Sequence, residues 1–423
     1  MTGAPPAAGI WPWAMWGLAA IFYSYGFFQR VAPSVMVAEL MRDFSVGAAI
    51  TGILSALYFY AYASLQVPVG VILDRWGARR LLTGAALLAA LGSLFFSQAQ
   101  DLMPAYLGRA LIGIGASVTW VGALKVATVW FPPRRFALVT GLTMAAGMVG
   151  AVGGQAPLSA AVAAFGWRAT LVGAGLAGLA LALAIWLVVR DRPPGERDDK
   201  PASEEGRRLL SGLVVALKNP QTHFIGLYGG LLAAPMLAFA GLWGVPYLML
   251  RHGIERPAAA AATSVFLVGW GVGSPLVGWL SDRIGLRRIP MMLCVGLALA
   301  STLVWLFWPG LPLAACYPFF FLTGMCAGGM VLCFASAREH NPAWTAGATL
   351  GLANMMVIGN GAIWQSLIGW FLDLGWDGTM ANGVRVYSQA IWDRALLALP
   401  LCYLGAFLLL LGVRETHCKA QKS

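Results

Sequence analysis

Three basic residues lie inside long apolar runs of this 423-residue chain: Arg30, Arg109 and Lys125. A charge at membrane depth is costly, so each of them is a candidate functional residue. Arg30 lies about five residues, or ~8 Å, from the middle of its predicted helix, and the other two lie about eight residues, or ~12 Å, from the middle of theirs. The side chains of Arg109 and Lys125 can therefore extend toward a headgroup region. Arg30 is the strongest candidate for binding a ligand.

The residues around Arg30 predict an anion-binding face. At about 100° per residue, Tyr23, Phe27, Arg30 and Ser34 share one side of the first helix. An aromatic wall with a fixed cation and a hydroxyl suits an anionic organic molecule. The second apolar run carries a similar face, formed by Ser55, Tyr58, Tyr62 and Gln66. The alternative is that these residues pack between helices and bond backbone carbonyls.

Four further polar residues are candidates for the same cavity. Gln155 lies in the glycine-rich fifth apolar run, while Asn354 and Gln365 share a face of the eleventh. Lys125 either lines the cavity or anchors the loop that follows it. No Asp or Glu lies near the middle of an apolar run, and the histidines fall near run ends or in loops. We therefore expect that the protein is not an enzyme and that it has neither a metal site nor a cofactor.

The composition predicts the elements that position these residues. Hydrophobic residues make up 59% of the chain and charged residues 11%, with a mean hydropathy of +0.73. A soluble domain carries about a quarter charged residues, so we expect an all-α integral membrane protein. A helix of about 20 residues crosses a bilayer. Twelve spans are predicted, at residues 13–38, 47–70, 80–99, 105–130, 136–160, 167–190, 221–250, 258–280, 290–309, 312–336, 344–371 and 389–412.

The basic residues predict the orientation of the spans. The net charge is +11, and most Lys and Arg residues fall in loops on one side, which the positive-inside rule assigns to the cytoplasm. This basic excess faces anionic lipid headgroups, and we expect no nucleic-acid partner. The first run, from about Trp11 to Met36, is too long for a signal-peptide core. We expect a multi-pass inner (plasma) membrane protein with both termini in the cytoplasm.

One motif occurs twice, 208 residues apart, as G-x-x-x-D-R-x-G-x-R-R. A repeat of this period indicates two copies of one large unit. Each copy predicts a tight cytoplasmic turn, because glycine permits backbone conformations that side chains forbid. The two copies consist of Gly70, Asp74, Arg75, Gly77, Arg79 and Arg80, and of Gly278, Asp282, Arg283, Gly285, Arg287 and Arg288.

The repeat also predicts the domain boundaries. We expect one six-helix bundle in residues 1–190 and a second in residues 221–423, which includes a short cytoplasmic tail. Residues 191–220 form a charged linker, in which the run Pro193-Pro194-Gly195 excludes a continuous helix. A short amphipathic helix is expected near residues 207–218.

The repeated loop, between the second and third spans and again between the eighth and ninth, resembles the signature of the major facilitator superfamily. The stretch Gly108-Arg109-Ala-Leu-Ile-Gly113-Ile-Gly115 resembles the fourth-helix motif of that family, in which the arginine helps to hold the amino-terminal bundle. The resemblance implies two bundles related by an axis along the membrane normal, with a cavity between them and transport by alternating access.

The stretch Gln29-Arg30-Val-Ala-Pro33-Ser34 resembles the first-helix pattern of organic-anion and phosphate carriers in that superfamily. There the arginine engages a carboxylate or phosphate of the substrate, and an acidic residue often precedes it, where this chain has Gln29. We expect a monomeric secondary carrier of a small organic anion, a carboxylate or a phosphorylated metabolite. Uniport, anion exchange, or symport in which the substrate or Glu339 carries the proton fits the lack of a mid-span carboxylate.

Three alternatives to this function stay open. An exporter of amphipathic compounds would be expected to carry a membrane-embedded carboxylate, which the predicted spans lack. A carrier of anionic iron chelates or peptides is compatible with the same positive cavity. A membrane sensor that binds its ligand without transporting it is also compatible with the sequence.

Overall fold

The structure is a computed structural model that describes residues 10–191 and 202–419, apart from the side chains at positions 74, 133, 137 and 202–209. The expectations for the side chain of Asp74 and for the run at residues 193–195 lie outside this part. The helices are α1 (Trp11–Val31), α2 (Val37–Asp43), α3 (Ala48–Ser64), α4 (Pro68–Trp76), α5 (Ala78–Gln98), α6 (Leu102–Ser117), α7 (Thr119–Trp130), α8 (Pro133–Gly153), α9 (Ala156–Val188), α10 (Ala202–Lys218), α11 (Pro220–Ala238), α12 (Gly244–His252), α13 (Arg256–Ile284), α14 (Arg288–Phe307), α15 (Leu313–Ala327), α16 (Val331–Glu339), α17 (Ala346–Leu374), α18 (Gln389–Ala395) and α19 (Ala398–Leu411). Short 3₁₀ turns occupy Ala32–Val35, Gly328–Met330 and Ala343–Thr345, and a π-helical turn occupies Phe239–Trp243. A two-stranded antiparallel hairpin, β1 (Met380–Ala381) and β2 (Val384–Arg385), precedes α18.

The predicted all-α membrane architecture is confirmed. In the described part of the chain, nine helical stretches are long and apolar enough to cross a membrane, or ten if α2 and α3, which meet at a bend of 113°, form one broken span. One stretch, Arg134–Val188, is 55 residues long and is kinked at Gly166, whose φ of 78° and ψ of 157° are not helical. Because a single span needs about 20 residues, this stretch has the length of two. The helices are consistent with the twelve predicted spans.

Several predicted spans are broken where the sequence analysis treated them as continuous. The predicted first span, 13–38, ends as an α-helix at Val31 and continues as a 3₁₀ turn that contains Pro33. The predicted second span breaks before Pro68. Proline has no N–H to donate to the helix and clashes with the preceding turn, which accounts for both breaks. The seventh span is interrupted near Gly241 by the π-helical turn at Phe239–Trp243.

The repeated loop motif forms two sharp turns. Gly77 follows α4 with a φ of 80°, and Gly285 follows α13 with a φ of 72°, so both glycines adopt the conformation that the sequence predicted. We call the end of the molecule with these turns the inner end and the opposite end the outer end. The assignment of the inner end to the cytoplasm remains a prediction.

An acidic residue caps the helix after each turn. The carboxylate of Asp191, just beyond α9, accepts the backbone N–H of Arg79 at 2.8 Å. The carboxylate of Glu415, just beyond α19, accepts the backbone N–H groups of Arg287 and Arg288, each at 2.8 Å. Burial would raise the pKa of Glu415, but these N–H donors outweigh it and lower the pKa. A carboxylate at a helix N-terminus is stabilised in this way, so each cap ties the end of its bundle to the start of its third span.

The two halves pack through α3 against α17 and through α8 and α9 against α13. An added Cβ at Gly52 of α3 would lie 2.7 Å from the backbone oxygen of Gln365, so these helices are in backbone contact. Helix α10 lies within the predicted linker and packs against α17. It begins earlier than the helix expected at 207–218. The domain boundaries at 190 and 221 remain a prediction.

Glycine also sets the distance between α13 and α15. A Cβ added at Gly324 would overlap the backbone oxygen of Phe266, whereas one added at Gly296 of α14 would meet nothing within 4 Å. We expect Gly324→Ala to lower the free energy of unfolding by about 1–3 kcal/mol through overpacking. Gly296→Ala should leave stability unchanged or raise it by up to about 1 kcal/mol, the gain in helix propensity. The melting temperatures of the purified variants measure both effects, and equal values for the two variants would contradict this packing.

Candidate substrate-binding site

Arg30 is held among aromatic rings near the C-terminal end of α1. Its side chain is buried, with 5% of the residue exposed. The guanidinium carbon lies 4.2 Å from the ring centre of Phe27, 5.3 Å from that of Tyr62, 5.7 Å from that of Tyr58 and 5.9 Å from that of Phe59. A cation within about 6 Å of a ring centre is attracted by the π-electron face. The rings therefore stabilise a charge that has no ion-pair partner among the described side chains.

A small cavity next to Arg30 lies between the two halves. Its volume is about 10 Å³, which is room for about one water molecule. The cavity is therefore too small to hold an organic ligand in this structure, and in this sense the site is closed. A ligand can bind only if the lining residues of the two halves move apart. The lining residues are Phe27, Arg30, Val31 and Phe59 from the amino-terminal half and Met236, Leu237, Gly241, Leu267 and Trp270 from the carboxy-terminal half.

Two nitrogen donors of this lining are buried without a partner in the described structure: Nε of Arg30 and Nε1 of Trp270. A buried donor without an acceptor costs about 1–3 kcal/mol. The two donors come from opposite halves and belong to one cavity, so a ligand with acceptor oxygens would satisfy both. The Trp270 ring also stacks on Phe27, with 5.9 Å between the ring centres.

The sequence analysis missed Trp270, although the internal repeat contained the signal for it. Trp270 stands 208 residues after Tyr62, which was a candidate, and Leu267 stands 208 residues after Phe59. Both later residues line the cavity. The glycines around Trp270 belong to the interior of α13, where Gly269 and Gly273 allow close packing with α15 and Gly271 faces Met148 of α8.

Arg109 connects three spans of the amino-terminal half. It is buried, and its guanidinium donates to the backbone oxygens of Gln29 at 3.0 Å and Ser55 at 3.2 Å. In a regular helix the Gln29 carbonyl would accept an N–H from position 33, but Pro33 has none to give. Arg109 satisfies this carbonyl and thereby fixes the residue next to Arg30. This geometry is that of a positioning residue, and Arg109 does not line the cavity.

The two predicted glutamines bind the interrupted seventh span. The side-chain amide of Gln155 donates to the backbone oxygen of Ala240 at 2.8 Å, and that of Gln365 donates to the oxygen of Leu237 at 2.9 Å. The carbonyl of Gln155 accepts the hydroxyls of Ser34 at 3.3 Å and Thr263 at 3.1 Å. These bonds surround the π-helical turn, where the regular ladder of backbone hydrogen bonds is shifted. The structure therefore places Gln155, Gln365 and Ser34 beside the cavity rather than in its lining.

The remaining candidates lie at increasing distance from the cavity. Tyr23 packs on Phe27, with 4.9 Å between the ring centres. The amide of Asn354 donates to Gln66 at 2.6 Å and so joins the two halves on the inner side of Tyr62. Lys125 is half-buried on α7 and is not among the lining residues. Of the eleven predicted substrate-binding residues, the lining contains Phe27 and Arg30.

The outer end is closed by the carboxylate of Asp373, at the end of α17. It accepts the backbone N–H groups of Ala48 at 3.1 Å and Ala49 at 2.9 Å, at the start of α3 in the other half. It also accepts the hydroxyl of Tyr387 at 2.5 Å and pairs with Arg385 of β2 at 3.2 Å. Burial, and then the hydrogen bond to Asp373, raise the pKa of Tyr387, so the phenol keeps its proton.

A second contact at the outer end is an ion pair between the halves. Arg256, at the start of α13, pairs with Glu39 of α2 at 2.6 Å and donates to the backbone oxygen of Val35 at 3.1 Å. Both contacts must break if the outer end opens.

At the inner end, the motif arginines have different partners. Arg287 pairs with Glu339 and with Asp282, each at 2.7 Å, and its Nε also faces Glu339. Arg79 lies over the ring of Trp186 at 4.2 Å, and Arg283 lies over that of Trp279 at 5.3 Å. Glu339 also accepts the hydroxyl of Thr416 at 2.5 Å. The remaining motif members at this end are Gly70 in α4, Gly278 in α13, half-buried Arg288, and the exposed Arg75 and Arg80. Gly113 lies within α6, where it packs on the Tyr58 backbone.

A model of the Major Facilitator Superfamily matches residues 17–365. The chain belongs to this family. It is a multi-pass membrane protein of a transporter family and not an enzyme. The fold is similar to that of a bacterial homolog to the human lysosomal transporter Spinster, solved in an inward-facing and unoccupied conformation. The two structures have a TM-score of 0.75 and 16% identity, and the match covers 99% of this chain and 100% of that chain.

Three curated relatives carry functional names. Monocarboxylate transporter 11 of Homo sapiens is 30% identical over 71% of this chain and 63% of its own length. The membrane sensor protein UhpC of Salmonella typhimurium is 26% identical over 95% of this chain and 91% of its own length. A putative tartrate transporter of Agrobacterium vitis is 25% identical over 90% of this chain and 88% of its own length. A further curated relative is matched over 40% of its own length, so this chain spans less than half of that protein.

The geometry of Arg109 predicts a loss of stability on its removal. We expect Arg109→Gln to lower the free energy of unfolding by about 2–6 kcal/mol, because it leaves the Gln29 and Ser55 carbonyls without this donor at the cost of about 1–3 kcal/mol each. Arg30→Gln should cost less, since Arg30 bonds no described carbonyl. The melting temperatures of the two variants in the same detergent compare these effects. A more stable Arg109→Gln protein would contradict the positioning role.

Proposed function

We propose that the protein is a secondary carrier that moves a small organic anion by alternating access. The observation that supports this function best is the pair of unpartnered donors, Arg30 Nε and Trp270 Nε1, in one closed cavity between the halves. Charges at membrane depth are retained where they bind a substrate or a counter-ion. Among the described residues, Arg30 has no carboxylate partner, so an anionic substrate would supply the missing charge.

The relatives support the class of substrate. The names of two of them refer to organic anions, a monocarboxylate and tartrate. The planar guanidinium of an arginine can form two parallel hydrogen bonds to a carboxylate or phosphate, which a lysine cannot do. The position of Arg30 among aromatic rings leaves its charge buried but its Nε free for such a ligand.

The contacts between the halves support a rocking mechanism. On the outer side of the cavity, Asp373 and Arg256 join the halves, and on the inner side Gln66 bonds Asn354. These are hydrogen bonds and ion pairs between the halves, which can break without disturbing the packing inside either bundle. Opening one set while the other holds would expose the cavity to one side at a time.

Several finer features belong to the same proposal. We place the protein as a monomer in an inner (plasma) membrane with both termini in the cytoplasm, and uptake as the direction of transport. With Glu339 held by Arg287 and Thr416, we favour uniport or anion exchange over symport in which Glu339 carries a proton.

A second candidate function is sensing. One relative, matched over 95% of this chain, is named a membrane sensor protein. A sensor would bind the same anion at Arg30 without releasing it on the other side. Counterflow of labelled ligand in proteoliposomes separates the two functions, because only a carrier exchanges internal for external ligand.

Replacing Arg30 tests the proposed site. We expect Arg30→Ala to weaken binding of the anionic substrate by at least about 30-fold, since truncating one partner of a buried charge pair costs about 2–5 kcal/mol. Arg30→Lys should recover only part of the affinity. A thermal-shift screen of purified protein against carboxylates, phosphates, sugars and drugs identifies the ligand, and its dissociation constant is then measured for each variant. Unchanged affinity in well-folded Arg30→Ala protein would contradict the site.

A matched pair of tryptophan variants isolates the second donor. Trp270→Phe keeps an aromatic ring but removes the N–H, and a hydrogen bond to a charged group contributes about 1.5–3 kcal/mol, or roughly 10- to 100-fold in affinity. Trp305 is equally buried and its Nε1 is also unpartnered, but it does not line the cavity. Trp305→Phe should therefore leave affinity unchanged.

Removing the charge of Asp373 should loosen the outer end. We expect Asp373→Asn to increase hydrogen exchange at the start of α3 by roughly fivefold, because a carboxylate at a helix N-terminus contributes about 1 kcal/mol. Asp377→Asn is the control, since Asp377 accepts the N–H of Thr379 within the same loop. Hydrogen exchange followed by mass spectrometry measures the peptide that contains Ala48 and Ala49. Equal protection in both variants would show that Asp373 does not hold the outer end closed.

A further inference from the structure

We infer that the substrate is a monocarboxylate with an apolar body, rather than a dicarboxylate, a phosphate ester or a polyhydroxylated acid. This inference rests on the proposed function and deepens it by naming the substrate class. The names of the relatives do not distinguish these substrate classes, since one refers to a monocarboxylate and another to tartrate. The chemistry of the cavity lining favours the monocarboxylate.

The single positive charge of the cavity lining matches a substrate with one negative charge. Among the described residues that line the cavity, Arg30 alone is charged, and Trp270 alone adds another side-chain N–H. One carboxylate has two oxygens, which is the number needed to accept from both donors. A second carboxylate would be buried without a cation, which is strongly unfavourable. A phosphate ester carries about −1.5 to −2 charges near neutral pH, so part of its negative charge would also be buried without a cation.

The nearby polar side chains are already engaged. Arg109 donates to the Gln29 and Ser55 carbonyls, and the amides of Gln155 and Gln365 donate to the seventh span. Oε1 of Gln365 has no partner, but Gln365 does not line the cavity. The hydroxyls of a sugar acid would therefore find few donors here, and unpaired buried hydroxyls lower affinity.

The rest of the lining suits an apolar body. On the carboxy-terminal side the cavity is bounded by Met236, Leu237, Leu267 and Gly241, together with the face of Trp270. Aliphatic or aromatic carbon would gain about 25 cal/mol for each Å² of apolar surface that it buries against these residues. The carboxylate would lie against α1 and the body against α11 and α13. An amphiphilic monoanion fits this polarity.

Three probes with one aromatic body test the charge. Phenylacetate has one carboxylate, phenylmalonate has two, and phenylacetamide has none. We expect phenylacetate to bind the full-length protein at least about tenfold more tightly than phenylmalonate, and phenylacetamide to show no binding. Hexanoate tests an aliphatic body, and tartrate and glycerol 3-phosphate test the excluded classes. Isothermal titration calorimetry and thermal shifts in detergent measure all six.

A variant should reverse the preference. Leu267 belongs to the carboxy-terminal half and lines the cavity on the side opposite Arg30, so Leu267→Lys adds a second cation to the lining. We expect the affinity ratio of phenylmalonate to phenylacetate to rise at least about tenfold in Leu267→Lys and to stay unchanged in the control Leu267→Met. If Leu267→Lys does not fold, the wild-type panel still tests the substrate class. Arg30→Lys then tests the anion site, because it should lower the affinity for every monocarboxylate that binds.

The outcomes separate this inference from the proposed function. If phenylmalonate, tartrate or glycerol 3-phosphate binds as tightly as the monocarboxylates, and Arg30→Ala abolishes that binding, the substrate class is wrong and the anion site stands. If neither monocarboxylate binds, the inference is likewise overturned. If phenylacetamide binds as well as phenylacetate, or if Arg30→Ala binds phenylacetate normally, the anion site itself is wrong and the proposed function fails with it.

Discussion

The structure depends on how one buried cation is accommodated between two bundles. Arg30 has lost its hydration, and no described carboxylate replaces it, so four aromatic rings within 6 Å supply the compensating interaction. Cation–π attraction of this kind contributes about 2 kcal/mol or more when desolvated, which is less than the cost of dehydrating a charge. The closed cavity is therefore a place where an anion would be bound strongly, because the protein itself stabilises the cation only in part.

A second constraint comes from the backbone. Inside a bilayer every N–H and carbonyl group must find a partner within the protein, yet several spans of this chain are interrupted. Pro33 deprives the Gln29 carbonyl of its helical donor, and Arg109 replaces it. The π-helical turn of the seventh span is flanked by carbonyls that accept from Gln155 and Gln365. Polar residues that the sequence suggests as substrate ligands therefore form hydrogen bonds with backbone carbonyl groups.

This explains how far the sequence could predict the molecule. The apolar runs and the 208-residue repeat were sufficient for the fold, and helical periodicity placed Phe27 and Arg30 on one face. The same reasoning could not separate ligand-binding amides from backbone-binding ones, because that depends on where a neighbouring span breaks. The closure at Asp373 was not predictable either, since its partners at Ala48 and Ala49 lie more than 300 residues away and no local pattern connects them.

The internal repeat gives the cavity a near-symmetric wall but an asymmetric charge. Phe59 and Leu267 correspond and both line the cavity, and Trp270 corresponds to Tyr62, whose ring lies against Arg30, whereas Arg30 corresponds to Ala238. The amino-terminal half therefore offers the cation, and the carboxy-terminal half offers apolar surface and one N–H. A ligand satisfies both only when the halves are close together. Because a ligand shifts a conformational equilibrium only by its difference in affinity between the states, this division of roles makes the closed arrangement the one that an amphiphilic anion stabilises.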